Sequence, residues 1–371
     1  MSTVSYADLV NPSVLTQPTY EPGKPIELVA KEFGIDPSTI IKMASNENPL
    51  GPSPLAKAAA QKALDEVNYY PDGGTTALRE KLAAVWGLAP NQFLVGNGSN
   101  EVMILLAQAF LRAGDEVVFG SEAFIVYKLA ALLFGAKPVS VPMPAHTHDL
   151  DAMLAAITPR TKLVFLACPN NPTGTVNAPE AILAFARKLP AHVILCLDEA
   201  YAEFLDNAVD IRPLIAAGLK VTGARTFSKI YGLAGLRVGY LYGTAELIAL
   251  VQRTRQPFNV NLVAQAAAIA ALDDTGFVQH ARSENAAGLR QLTRGLEGLG
   301  LSVVPGHGNF LVFQIPDAAG VFDALQRRGV IVRPLAGYGM RDSLRVTVGT
   351  DPQNERFLAT LSEVTGRKLL C

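Results

Sequence analysis

An α/β fold on a mostly parallel sheet, followed by a smaller α+β unit, is what this sequence predicts. Three observations carry that expectation. From about residue 53 onward, short apolar runs alternate with amphipathic helical stretches, as they do when helices connect parallel strands. Val193–Leu197 is five apolar residues in a row, which suits a strand covered on both faces. After about residue 270 the order changes to one long helix and then several strands.

The elements follow in order. Residues 1–40 hold Pro12, Pro18, Pro22, Gly23, Pro25, Gly34 and Pro37. They read as an extended arm with one short helix near Ile26–Phe33, packing with the small domain. Ser53 and Pro54 suit a capped helix start. Leu78, Leu82 and Val85 mark a second amphipathic helix. Phe93–Val95 reads as a strand ending at Gly96, with a helix over Val102–Arg112. Glu116–Phe119 and Leu163–Ala167 read as strands. Asn177–Glu180 opens a helix whose apolar face holds Ile182, Leu183, Phe185, Ala186 and Leu189. A helix over Phe277–Leu299 then leads into strands near Leu301–Val304, Phe310–Gln314, Val330–Arg333 and Leu344–Val348, with a helix at Ala319–Arg328. The domains are therefore expected at 1–40 (arm), 41–270 (large) and 271–371 (small).

Composition narrows the class. The 371 residues are 49% hydrophobic and 18% charged, as in a well-buried globular enzyme. With 32 basic and 33 acidic side chains and a formal net charge of -1, no basic excess points to nucleic acid. Cys168, Cys196 and Cys371 lie too far apart in sequence for a disulfide framework or a CxxC metal pair. No secretory signal and no membrane-length apolar run is visible, so the cytoplasm is the expected compartment. His146-Thr147-His148-Asp149 sits in a Pro-rich polar loop and reads as a solvated turn, so no metal is expected.

Ligands of open α/β sheets bind beyond the carboxyl ends of the strands, and four such ends carry chemistry. Gly96-Asn97-Gly98-Ser99-Asn100 lies between a strand and a helix, where free backbone N–H groups hold a phosphate well. A dinucleotide fingerprint would need a third Gly where Glu101 stands, which counts against a nicotinamide oxidoreductase. Cys168-Pro169-Asn170-Asn171-Pro172-Thr173-Gly174 fixes Asn171 between two prolines. Asp198-Glu199-Ala200-Tyr201 puts an acid where a buried strand ends, a costly position unless a cation meets it. A protonated pyridine nitrogen is such a cation. Thr226-Phe227-Ser228-Lys229 leads to Gly232, Gly235 and Arg237; Lys229 suits imine formation, and Arg237 suits a phosphate.

Together these segments resemble the fold-type I pyridoxal-phosphate enzymes, in their aminotransferase branch. Tyr20–Pro25, Ala44–Gly51, Tyr70–Gly73 and Leu344–Gly349 look like the histidinol-phosphate aminotransferase family. The resemblance implies a seven-stranded, mostly parallel sheet in the large domain and pyridoxal 5'-phosphate held by Lys229 as a Schiff base. It implies that Asp198 keeps the pyridine nitrogen protonated and that Asn171 and Tyr201 hydrogen-bond the phenolic oxygen. Gly98, Ser99, Asn100, Thr226, Ser228 and Arg237 would hold the phosphate, and Phe124 or Tyr127 would stack on the ring. Tyr70 would reach the neighbouring subunit's site across a homodimer.

For substrates, the resemblance implies histidinol phosphate and glutamate or 2-oxoglutarate. Arg345 would take the α-carboxylate with Asn46 nearby, and Arg333 and Tyr20 would meet the phosphate group. Aromatic amino-acid aminotransferases share much of this pattern and are the alternative. A phosphothreonine decarboxylase is a further rival, and a regulator on the same fold would need a DNA-binding domain for which 371 residues leave no room. Cys168 departs from the family, which usually has Asn there.

Overall fold

The computed structural model describes residues 4–15, 17, 19 and 23–368. Among the described residues, thirteen strands run in chain order: β1 Ile41–Lys42, β2 Phe93–Gly96, β3 Glu116–Gly120, β4 Lys137–Val141, β5 Thr161–Ala167, β6 Ile194–Asp198, β7 Val221–Thr226, β8 Gly239–Tyr242, β9 Ser302–Val304, β10 Phe310–Gln314, β11 Val330–Ile331, β12 Arg333–Pro334 and β13 Ser343–Thr347. Seven of them form one sheet in the order β2-β8-β7-β6-β5-β3-β4. Only β8 runs against its neighbours β2 and β7.

Alternation builds the two faces of this sheet. Val164, Leu166, Leu195 and Leu197 point into one apolar cluster. Leu163, Phe165, Ile194 and Cys196 point into the other. Helices cover both sides, which is why β5 and β6 read as unbroken apolar runs. Three strands of this sheet are missing from the strands named in the sequence reading, each for a physical reason. β4 lies at the sheet edge and carries Pro138, as edge strands tolerate. β7 holds Gly223 and a buried Arg225, whose guanidinium donates to Glu199 and Glu203. The tyrosines Tyr240 and Tyr242 of β8 pack beside Trp86.

The smaller unit holds a four-stranded antiparallel sheet, β12-β13-β10-β9, packed against the helix Thr275–Gly298. β1 pairs in parallel with β11 through Ile41 and Val330. Residues just after the arm therefore join the backbone of the small unit rather than the large sheet.

The histidine loop at 146–149 is not a solvated turn. His148 is only 4% exposed, and its carbonyl accepts from Asn177 Nδ2 at 2.9 Å. His146 Nδ1 lies 2.7 Å from Glu122 Oε2, and its carbonyl accepts from Thr175 Oγ1 at 2.6 Å. The loop is tied beneath the Asn170 turn by contacts its polar sequence does not disclose. Among the described residues, no helix is long and apolar enough to cross a membrane.

Candidate active site

Register decides where the chemistry gathers. Ala167 of β5 pairs with Asp198 of β6, and Asp198 pairs with Ala224 of β7. Three strand ends thus finish side by side, and the polar segments after them open on one cavity of about 390 Å³. The small unit closes its other side with Arg333, Tyr338 and Arg345.

Lys229 and Asp198 both line this cavity. Lys229 Nζ donates to the Ser45 carbonyl at 3.3 Å and sits 5.6 Å from the centre of the Tyr201 ring. Burial, reinforced by the Arg345 charge, lowers its ammonium to about 8, toward the free amine that attacks a carbonyl. Asp198 is 5% exposed, and burial raises its carboxyl above the ordinary value. Two donors oppose that rise: Tyr127 Oη at 2.7 Å to Oδ2, and the Ala200 N–H at 3.1 Å to Oδ1. A buried acid so placed calls for a cationic partner in the cavity.

An anion cradle lies at one end. The helix Gly98–Phe110 begins there, presenting Ser99 and Asn100 to the cavity with the positive end of the helix dipole. Gly98 has φ +83°, and a Cβ on it would lie 2.7 Å from Arg237 Nη2, so only glycine lets the guanidinium come so close. Arg237 Nη1 reaches Ser228 Oγ at 3.4 Å, and Ser228 Oγ also accepts from Thr226 Oγ1 at 2.9 Å. Hydroxyls, a guanidinium and helix amides converge without an acid among them, the donor set of a phosphate site.

Across the cavity, Arg345 Nη1 donates to Asn171 Oδ1 at 2.5 Å, and Nη2 donates to the Ala44 carbonyl at 2.7 Å. Asn46 Nδ2 donates to Tyr201 Oη at 2.8 Å. Burial raises the Tyr201 phenol to about 12, so it stays a donor at neutral pH. Phe124 lines the cavity. Tyr127 does not: it is fully buried behind Asp198 and stacks on Phe165 with centroids 4.8 Å apart. Of the two stacking candidates, only Phe124 faces the space a ring can occupy; Tyr127 supports the acid instead.

Tyr70 stands outside this cavity, 83% exposed, with its ring stacked on Phe258 at 4.8 Å. Tyr20 lies outside the described residues. Sequence reasoning missed the Ser45 carbonyl facing Lys229, the Ala44 carbonyl facing Arg345 and the Tyr127 support of Asp198. No local pattern marks them, because each partner is far away in the chain.

These residues fit pyridoxal 5'-phosphate. An amine, a buried acid, an anion cradle and an aromatic wall surround a space of small-molecule size, and each would meet a different part of that cofactor. Similarity to known proteins points the same way. Residues 38–361 match the family described as aminotransferase class I and II. The histidinol-phosphate aminotransferase of Methylobacillus flagellatus is 50% identical over 349 residues, 93% of this chain and 94% of that protein. Histidinol-phosphate aminotransferase 2 of Pseudomonas fluorescens (strain Pf0-1) is 46% identical over 98% of this chain and 99% of its own length. The crystal structure of the Sinorhizobium meliloti histidinol-phosphate aminotransferase, in complex with pyridoxal-5'-phosphate, superposes with a TM-score of 0.88 at 28% identity, covering 98% of each chain. This chain belongs to the class I and II aminotransferases and, within them, to the histidinol-phosphate aminotransferase family.

Proposed function

We propose that this chain transfers an amino group between histidinol phosphate and 2-oxoglutarate, the transamination of histidine biosynthesis, with pyridoxal phosphate on Lys229. The observation that carries this reading is the placement of Lys229 and Asp198 in one small cavity beside an anion cradle. When bound, the cofactor supplies an electron sink for the bonds at the substrate α-carbon.

The chain supplies the rest. Asp198 would meet the ring nitrogen and favour its charged form, and Tyr127 and the Ala200 N–H favour the ionised acid against its burial. Asn171 and Tyr201 would hydrogen-bond the phenolic oxygen. Gly98, Ser99, Asn100, Thr226, Ser228 and Arg237 would hold the phosphate, and Phe124 would cover the ring. Lys229, its ammonium already lowered to about 8, is the base that takes the α-proton and returns it. Arg345 binds the α-carboxylate, a bidentate match. Arg333 meets the phosphate of one substrate and the distal carboxylate of the other.

A homodimer accompanies this reading. Val67, Tyr69, Tyr70 and Phe258 are large apolar groups left exposed on one stretch of surface, as an interface leaves them. Tyr70 then reaches the partner's cofactor phosphate. Sedimentation should give twice the chain mass, and a monomer with full activity would remove this part. The two buried free thiols, Cys168 and Cys196, suit a reducing cytoplasm.

Initial rates with 2-oxoglutarate as acceptor test the substrate. Histidinol phosphate should exceed phenylalanine and tyrosine in kcat/KM; a preference for either aromatic would refute the assignment. Borohydride reduction should fix the cofactor on Lys229, as peptide mapping would read.

A further inference from the structure

Asn46 is held in an uncommon backbone conformation, with φ +56°, and is 1% exposed. Its environment is built by the small unit. The Asn46 N–H donates to Thr347 Oγ1 at 2.9 Å, and Thr347 Oγ1 donates back to Asn46 Oδ1 at 3.1 Å. Asn309 Nδ2 donates to the Asn46 carbonyl at 3.0 Å. Thr347 ends β13, and Asn309 directly precedes β10.

Donor and acceptor bookkeeping then fixes the sense of the whole chain. The Thr347 hydroxyl receives one N–H, so its single proton is available for Asn46 Oδ1. With that oxygen used, the amide must turn its NH₂ toward Tyr201, and Nδ2 donates to Tyr201 Oη at 2.8 Å. A phenol that accepts from Asn46 cannot also donate to it. Its one proton therefore points elsewhere, and Tyr201 lines the cavity.

We propose that Asn46 is a positioning residue: it relays the hydrogen-bond polarity of Thr347 to Tyr201, so that the Tyr201 hydroxyl always donates to the phenolic oxygen of the cofactor. Asn46 thereby serves the cofactor rather than the substrate carboxylate. The inference rests on the cofactor placement given above. Two consequences follow. Donation from Asn46 polarises the phenol and makes it a stronger donor. The relay also crosses from the small unit to the large sheet, so docking of the small unit sets the proton affinity of the Lys229–cofactor linkage. A phenolic oxygen well stabilised as an anion holds the neighbouring linkage proton less tightly.

The test is a pH titration of the visible absorbance of the cofactor-loaded protein. Asn46→Gly keeps the left-handed backbone accessible and removes the amide. The pKa of the linkage should rise by about half a unit to one unit, roughly three- to tenfold in proton affinity, the scale of one hydrogen bond. Thr347→Val should shift it in the same direction by less, and serves if Asn46→Gly does not fold. In a Tyr201→Phe background, Asn46→Gly should add nothing. An unchanged titration in Asn46→Gly, or shifts that add fully in the double variant, would overturn the relay while leaving the transaminase reading intact. Absence of any titrating visible band in the wild-type protein would instead remove the cofactor assignment, and the relay with it.

Discussion

Arg333 and Arg345 stand directly opposite one another across the antiparallel pair β12 and β13, and both line the cavity. Like charges placed so are destabilising in a sheet. Arg345 is anchored by Asn171 and the Ala44 carbonyl, so its guanidinium is fixed before any ligand arrives. A phosphate or distal carboxylate of a substrate placed beside Arg333 would relieve this pair. Histidinol phosphate lacks an α-carboxylate but has a phosphate, whereas glutamate has two carboxylates.

Arg333→Ala should therefore raise KM for histidinol phosphate about 10- to 100-fold, the scale of a lost charge-assisted hydrogen bond. Phenylalanine, with no distal anion, should be affected much less. Steady-state rates on both substrates decide the point; equal losses would place phosphate recognition elsewhere.

Tyr127→Phe removes the hydroxyl that donates to Asp198 Oδ2 at 2.7 Å while keeping the ring stacked on Phe165. The Asp198 carboxyl, already raised by burial, should rise further and hold the ring nitrogen less firmly charged. We expect kcat to fall roughly tenfold, in line with about 1–2 kcal/mol for one such bond. Unchanged turnover would mean the Ala200 N–H alone suffices.

Gly98→Ala combines a backbone strained at φ +83° with a Cβ driven to 2.7 Å from Arg237 Nη2. The guanidinium must withdraw from the cradle. Cofactor affinity should drop by at least tenfold in equilibrium dialysis, with the thermal stability of the cofactor-free chain lowered only modestly. Wild-type affinity would separate the cradle from Gly98.

Lys229→Met tests the burial of the amine through stability. In the unfolded chain the lysine titrates near 10.5, and in the folded, cofactor-free chain it titrates near 8. Between these values the unfolded state binds more protons, so stability rises with pH across that window. Below about 8 the full penalty stands, on the order of 3 kcal/mol. Replacement by Met should stabilise the cofactor-free chain at pH 7 and much less at pH 10.5. Urea midpoints at the two pH values measure this, and equal gains at both would contradict it.

The alternation of strands and helices, the change of style near residue 270 and the polar segments at the strand ends can all be read from the chain. These features are local: an apolar run, a capped turn or an acid after a buried strand is legible from a few neighbouring residues. Which of those segments meet is set by the packing of the fold. The register of β5, β6 and β7 brings Asn171, Asp198 and Lys229 to one cavity. The sequence left Phe124 and Tyr127 equivalent, and packing separated them, since one ring faces the cavity while the other is stacked behind the acid. Asn46 bonds Tyr201 and Thr347 across 155 and 301 positions. A hydrogen bond depends on distance and direction in space, and separations of that length leave no periodic trace in the chain.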